Sequence, residues 1–138
     1  MDYLNKDFYK NFNFRKEEHN TEDQICKVEL ELGAKFPEEL REVLLLCNGG
    51  SGNIGKYYID LWSIEDIVDF YEDVMETTDN ILIPFASDGC GMAFALDKKT
   101  AEIRVIPMDS LEYEYSKKCS DSFRDFLHSM YSGDLPEY

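Results

Sequence analysis

The side chains best placed to do chemistry in this sequence are carboxylates, and they are concentrated in one segment. Between Lys56 and Lys98, 41 residues contain ten acids and no Lys, Arg or His. The segment therefore holds −10 of the chain's formal charge of −15. Such an unbalanced surface either attracts a cationic partner or keeps the protein soluble, and the sequence leaves both interpretations open. The ten acids are Asp60, Glu65, Asp66, Asp69, Glu72, Asp73, Glu76, Asp79, Asp88 and Asp97.

Cys90 lies in a tight-turn motif, Asp-Gly-Cys-Gly, where a nucleophile could be presented. A catalytic cysteine needs a neighbouring base and a third group that orients the base. The two histidines, His19 and His128, are both far away in sequence, and no third group marks a triad. The acids also contain no pair that stands out as a glycosidase pair would. We therefore predict no catalytic residue and no enzymatic activity.

The segment 50–55, Gly-Ser-Gly-Asn-Ile-Gly, matches the dinucleotide-binding pattern G-x-G-x-x-G. That pattern binds phosphate when it follows a strand and opens a helix, because the helix N-terminus then meets the phosphate. Here the segment follows a predicted helix and leads into a predicted strand. We interpret it as a flexible connector, with a mobile rim that helps a partner dock as the alternative, and we predict no cofactor.

The composition is typical of an acidic, folded, intracellular protein. The chain has 138 residues, 43% of them hydrophobic, which predicts one domain with its own core. A sequence pI near 4.4 disfavours nucleic acid and anionic membranes as partners. We expect no signal peptide and no membrane span, because no apolar run is long enough. The charge also disfavours self-association through the acidic segment, which predicts a monomer or a weak dimer.

The four cysteines are too widely spaced for a zinc or redox motif. We therefore expect free thiols, no metal site and a cytoplasmic location, where thiols stay reduced. The cysteines are Cys26, Cys47, Cys90 and Cys119.

Capping signals and apolar spacing predict four helices. Thr21 opens a capping box, and Gly33 suits the left-handed position that follows a helix. Ser63 is a natural N-cap for a third helix, and the last helix is expected to begin after Ser120 and to end at Gly133. The predicted helices lie between residues 21 and 33, 37 and 48, about 64 and 77, and 120 and 133.

Alternating apolar residues predict four strands, over 57–62, 81–86, 92–96 and 102–107. Short turns join the last three strands, so we expect them to pair antiparallel. The predicted fold is α+β, with a small, mainly antiparallel four-stranded sheet and helices packed around it. Residues 1–18 are rich in aromatic side chains and are a candidate N-terminal helical extension. Residues 111–115 fit neither pattern clearly.

The third predicted helix has one apolar face and one face that carries only acids. We predict that the acids bind a cationic partner, with plain solvation of the face as the alternative. On the preceding strand, Trp62 is either half exposed beside these acids or buried under a helix. The predicted partner-binding residues are Asp60, Glu65, Asp66, Asp69, Glu72, Asp73, Glu76, Tyr58, Trp62 and Asp88.

An ordered set of short motifs resembles the SUKH superfamily in its Smi/Knr branch. The resemblance covers about residues 21–128, and it depends on the order and the intervals of the motifs together. One departure is Met92, where family members often carry a polar residue after the second glycine of the turn motif. The motifs are Glu29-x-x-Leu32-Gly33, Phe36-Pro37-x-x-Leu40, Asn48-Gly49-Gly50, Leu61-Trp62-Ser63, Ile64-Glu65-x-Ile67, Ile83-Pro84-Phe85-Ala86-x-Asp88-Gly89-x-Gly91 and Ser122-Phe123-x-x-Phe126-Leu127.

The resemblance implies a single non-enzymatic α+β domain without a cofactor. Bacterial members of the family are mostly immunity proteins that bind and neutralise a cognate toxin, often a nuclease. Fungal members are associated with the control of cell-wall synthesis. Two functional hypotheses follow: an immunity protein whose partner is a cognate protein toxin or other cationic protein, and a regulatory scaffold that docks an endogenous partner.

Overall fold

The computed structural model describes residues 9–15 and 18–138. This part of the chain contains seven strands and four α-helices. A 3-10 turn, Tyr113–Tyr115, precedes the last strand. The helices are α1 (Glu22–Leu32), α2 (Glu38–Leu46), α3 (Ile64–Val74) and α4 (Phe123–Ser132). The strands are β1 (Asn11–Phe14), β2 (Gly50–Ile54), β3 (Tyr57–Leu61), β4 (Leu82–Ser87), β5 (Met92–Asp97), β6 (Ile103–Pro107) and β7 (Lys117–Ser120).

The described strands form one seven-stranded antiparallel sheet in sequence order, from β1 to β7. The prediction of a four-stranded sheet was wrong, although the α+β class is confirmed. The three strands that the prediction lacked are β1, β2 and β7. Helix α3 is inserted between β3 and β4, which nevertheless pair directly through Asp60 with Ser87 and Leu61 with Ala86. The acid-rich helix is therefore anchored at both ends to the middle of the sheet.

Strand β2 occupies the segment that was interpreted as a flexible glycine connector. Its glycines allow β1 to approach closely: a Cβ at Gly50 would collide with the Asn13 carbonyl oxygen, and a Cβ at Gly52 with the Asn11 carbonyl oxygen. Strand β7, with the sequence Lys-Lys-Cys-Ser, also lacks apolar alternation. Both strands are held by backbone pairing with a neighbour, which apolar patterning does not report.

The candidate helical extension over 1–18 falls partly on residues 1–8 and 16–17, which lie outside the described residues. Within the described part of that segment, Asn11–Phe14 form strand β1 and no α-helix is present. Tyr9 and Phe12 are buried, and their rings meet edge to face at 5.5 Å. The aromatic side chains of this segment thus belong to the core at one edge of the sheet.

The predicted helix caps are mostly confirmed. Thr21 and Gln24 form a reciprocal capping box, and Ser63 Oγ accepts a hydrogen bond from the Asp66 N–H at 3.1 Å. Gly33 ends α1 in the left-handed conformation, with φ of 74°. The cap of the last helix was placed wrongly, because Ser122 Oγ rather than Ser120 accepts from the N–H at the third helical position. Ser120 instead ends β7, which explains the two-residue shift.

The centre of the core is aromatic. Phe85 and Phe94, on neighbouring central strands, meet Phe123 and Phe126 of α4, with ring centroids 5.5 Å apart for Phe85–Phe123 and 4.9 Å apart for Phe94–Phe126. All four rings are buried. Burial of large aromatic side chains is a dominant stabilising contribution in a domain of this size, so this cluster fixes the sheet that supports α3.

Candidate functional site: an acid face on one helix

Helix α3 separates its apolar and acidic residues onto opposite sides. Ile64, Ile67, Tyr71 and Val74 are buried against the body of the protein. Six carboxylates are exposed on the other side, and we call this set the acid face. Its members are Glu65, Asp66, Asp69, Glu72, Asp73 and Glu76. The first five lie within α3, and Glu76 follows directly, since the helix ends at Val74 rather than near residue 77.

Within residues 9–15 and 18–138, no basic side chain forms an ion pair with the acid face. Among the described residues, the ion pairs within 4.0 Å involve Asp60, Glu22, Glu29, Glu39, Glu102 and Asp121, and none involves a carboxylate of the acid face. Like charges three or four residues apart on a helix destabilise it by about 0.2–0.5 kcal/mol per pair. Within α3 the acid face contains four such pairs, so their repulsion costs folding about 1–2 kcal/mol at low salt.

The start of α3 is held by Asn48, which is only 4% exposed. Asn48 Oδ1 accepts from the Ile64 N–H at 2.9 Å and from Asn20 Nδ2 at 3.0 Å. Asn48 Nδ2 donates to Glu65 Oε1 at 2.7 Å. One amide therefore satisfies an unpaired donor at the first helical turn and orients the first carboxylate of the acid face. The sequence placed Asn48 only at the end of the second predicted helix and within a family motif, so this role was not predicted.

Of the two interpretations of Trp62, the buried one is observed. Trp62 is 7% exposed, and its ring packs at 4.7 Å against Phe70 of α3. It therefore supports the helix from beneath and is not part of the exposed surface. Tyr58, by contrast, is 46% exposed, and its ring lies against Gly89 in the β4–β5 turn.

Asp88 shapes the turn between β4 and β5. Its Oδ1 accepts from the backbone N–H groups of Cys90 at 2.7 Å and Met92 at 3.1 Å, and its Oδ2 accepts from the Tyr138 hydroxyl at 2.9 Å. The turn thus uses the backbone of Met92 and requires no polar side chain there. Asp88 lies on this turn and the Tyr58 ring of β3 lies against it, whereas the carboxylates of the acid face lie on α3 and just after its end.

The comparison with protein families decides the identity of this fold. The model of the SMI1 / KNR4 family (SUKH-1) matches residues 19–129, most of the chain. The chain belongs to this family. The predicted resemblance to the Smi/Knr branch of SUKH is therefore confirmed. Comparison with curated proteins gives no match.

The SUKH-1 match covers α3, the Asn48 contacts and the β4–β5 turn, but it does not include β1. Strand β1 pairs with β2 along Asn11 to Phe14. The glycine-rich segment is therefore a strand paired on both sides, with β1 and with β3, and not the unpaired connector that the sequence analysis predicted.

The structure adds three acids that the sequence analysis missed. Asp109, Glu112 and Glu114 are exposed on the segment before β7, and Asp109 and Glu112 line a depression of about 480 Å³ together with Asp73. A hydrogen bond with the Glu114 carboxyl raises the pKa of Glu112. The signal was available, since residues 105–116 contain these acids and no Lys, Arg or His. The predicted acidic run ended at Lys98, whereas the folded SUKH-1 domain brings this second run to the end of α3.

Asp60 lies at the edge of the site and is half-buried on β3. Burial raises its pKa, Arg15 opposes that effect across 3.9 Å, and Asp66 adds to it. A raised pKa in the folded state means that ionised Asp60 disfavours folding, and that this cost disappears as the pH falls through the raised value.

Replacing Asp60 by Asn is expected to leave the stability at pH 7 unchanged or slightly higher, by less than about 1 kcal/mol, because solvent screens a side chain that is 38% exposed. The difference from the wild type should vanish as the pH falls below the unfolded-state pKa, where Asp60 is protonated in both states. Urea unfolding at pH 7 and near pH 3.5 checks this prediction. A variant clearly less stable than the wild type at pH 7 would show that the Arg15 contact outweighs burial.

Within residues 9–15 and 18–138, no group of three or more His, Cys, Asp or Glu side chains is arranged to hold a metal ion. No described helix has the length and apolarity needed to cross a bilayer. Cys90 is exposed in its turn, and its backbone N–H donates a hydrogen bond to the Asp88 carboxylate at 2.7 Å.

Proposed function

We propose that this SUKH-1 protein is a non-catalytic immunity protein that neutralises a cognate protein toxin by stoichiometric binding through the acid face. The observation that supports the proposal is the exposure of six carboxylates on α3 and just after its end, without neutralising bases among the described residues. We propose that Asp60, Tyr58 and Asp88 extend the contact. The family membership supports a binding domain rather than an enzyme.

The charge of the acid face suits a nuclease toxin because a nuclease must present a cationic cleft to phosphate groups. A concentrated negative surface is complementary to such a cleft. It also accelerates encounter by electrostatic steering, and rapid association favours a protein that protects its own cell. The acid face disfavours self-association for the same reason, so we propose that the chain acts as a monomer or a weak dimer.

The proposed location is the cytoplasm. All four cysteines are free, as expected where thiols remain reduced. Burial raises the pKa of the Cys119 thiol to about 11, which keeps that side chain unreactive.

Reversing two charges at the centre of the acid face tests the proposal. The double substitution Asp69→Lys with Asp73→Lys is expected to weaken binding of a cognate toxin by more than tenfold, because attraction becomes repulsion at the middle of the interface. Most of the loss should appear as slower association, and it should shrink as salt is raised. Surface plasmon resonance at two salt concentrations measures both quantities.

A matched control separates position from net charge. Asp125→Lys with Asp134→Lys makes the same change in net charge on α4 and directly after it, and both residues are exposed. This control should bind the toxin within about threefold of the wild type, since the net charge changes equally but the charge that faces the toxin does not. Equal losses of affinity in both variants would mean that the acid face contributes to binding only through the net charge of the protein. Unchanged binding in a folded Asp69/Asp73 variant would place the interface elsewhere.

The partner itself can be sought by pull-down from the native cells, washed first at about 50 mM and then at about 500 mM salt. A basic toxin retained at low salt and released at high salt would support the immunity function. Retention of a biosynthetic or signalling protein would instead favour the regulatory scaffold, the alternative that the fungal members of the family suggest.

A further inference from the structure

An open groove runs along the acid face between α1 and α3, with a volume of about 460 Å³. One wall of the groove is formed by α1 residues at positions i, i+3, i+4 and i+7, which share one face of that helix. The other wall is formed by α3 residues at positions i, i+1, i+4 and i+5. Asn20 closes one end. The lining residues are Gln24, Lys27, Val28 and Glu31 on α1, and Ile64, Glu65, Val68 and Asp69 on α3.

The floor of the groove is apolar. Val28 and Val68 face each other across it and are only half-buried, while Ile64 beneath them is 4% exposed. Val68 is thus an aliphatic side chain that the sequence places on the buried face of α3 but that the tertiary structure leaves accessible. Apolar surface of this kind gains free energy when a partner removes it from water.

The rim of the groove is acidic. Glu31, Glu65 and Asp69 surround the two valines, and Lys27 is the single base among the lining residues. Among the described residues, no ion pair within 4.0 Å joins Lys27 to these acids. The rim therefore keeps a net negative charge and is continuous with the acid face through Glu65 and Asp69.

We propose that this groove receives one aliphatic or aromatic side chain of the cationic partner, flanked in the partner by Lys or Arg residues that meet the acidic rim. The proposal rests on the function proposed above and adds an apolar anchor to it. Charge alone steers a partner but contributes little net affinity once the charges are desolvated, whereas interface energy concentrates in buried apolar or aromatic anchors surrounded by a polar rim.

Two synthetic peptides of equal charge test the groove without a known partner. The first is acetyl-Lys-Lys-Leu-Lys-Lys-amide, and the second has Ser in place of Leu. We expect the Leu peptide to bind about tenfold more tightly and to shift the methyl NMR signals of Val28 and Val68, since its side chain gains apolar burial that serine cannot. Titrations followed by methyl and amide NMR give both the dissociation constants and the location of binding.

Filling the groove should abolish the preference for leucine. Val68→Trp is expected to reduce the affinity for the Leu peptide to that for the Ser peptide, because indole occupies the space. Val28→Trp on the opposite wall serves if the first variant fails to fold. Leu30→Trp is the matched control: Leu30 is 84% exposed on α1 and does not line the groove, so this variant should keep the preference.

The outcomes separate the groove from the proposed function. Equal binding of the two peptides to the wild type, with loss of both in Asp69→Lys/Asp73→Lys, would overturn the groove and leave the acid face intact. Persistence of the leucine preference in both tryptophan groove variants would also overturn it. Peptide binding that the double charge reversal leaves unchanged would contradict both proposals.

Discussion

Replacing Asn48 by Ala is expected to lower the free energy of unfolding by about 3–4 kcal/mol, a large part of the stability of an ordinary domain. The substitution leaves the buried Ile64 N–H without its acceptor and removes one of the two acceptors of Asn20 Nδ2, which still donates to the Leu44 carbonyl oxygen at 2.9 Å. Each buried donor left without a partner costs about 1–3 kcal/mol. Glu65 also loses its orienting donor, so the first turn of α3 should loosen. Urea denaturation followed by circular dichroism measures the loss of stability.

Two further variants make the Asn48 prediction specific. Asn53→Ala removes an exposed asparagine on β2 and should change stability by less than about 0.5 kcal/mol. Asn48→Asp keeps the acceptor for Ile64 but sets a second carboxylate against Glu65, where like charges raise the pKa of the pair. Its destabilisation should therefore be greatest at neutral pH and should diminish as the pH falls through that raised value. An Asn48→Ala variant that is as stable as the Asn53→Ala variant would contradict the proposed role of the Asn48 amide.

The second large effect is expected at Gly49, the neighbour of Asn48 in the chain. Gly49 has φ of 88°, and a Cβ there would collide with the carbonyl oxygen of Leu61 and lie 2.8 Å from that of Trp62. Gly49→Ala thus combines an unfavourable left-handed conformation with a backbone clash at the β3–α3 junction. We expect a loss of about 2–5 kcal/mol in the free energy of unfolding.

Gly91 offers a matched comparison because it isolates the conformational part of that cost. It has φ of 94°, but a Cβ there would meet no heavy atom within 4 Å. Gly91→Ala should therefore cost only about 1–2 kcal/mol. The difference between the two variants, measured in the same denaturation experiment, estimates the cost of the close approach. Equal losses would mean that the β3–α3 junction can move aside for a methyl group.

Much of the helical structure was predictable because its signals are local. The Thr21 capping box, the Ser63 cap and the left-handed glycines at residues 33 and 133 each act within one helical turn, and all are observed. The segregation of acidic and apolar residues on α3 follows from the 3.6-residue period in the same way. The cap of the last helix was predicted wrongly at Ser120, because Ser120 ends β7 and Ser122 caps the helix.

The sheet was only half predictable. Strands β3 to β6 contain apolar residues on a regular pattern, whereas β1, β2 and β7 are short and β2 and β7 are polar or glycine-rich. Those three strands exist because a neighbour already presents unpaired backbone groups, and that requirement depends on residues tens of positions away. The buried position of Trp62 was undecidable for a related reason, since alternation along β3 does not show where α3 will lie.

The sequence by itself determined that this protein has a one-signed acidic segment, that α3 exposes its acids, and that the fold is that of a SUKH-1 domain. These properties depend on composition, on local period and on the order of motifs. Only the tertiary structure decided which other groups share the surface: the buried Asn48 amide at the start of α3, Asp109 and Glu112 at its end, and the valine-floored groove beside it. These are contacts between segments distant in the chain, and they follow from how the helices and the sheet pack, which local sequence patterns do not encode.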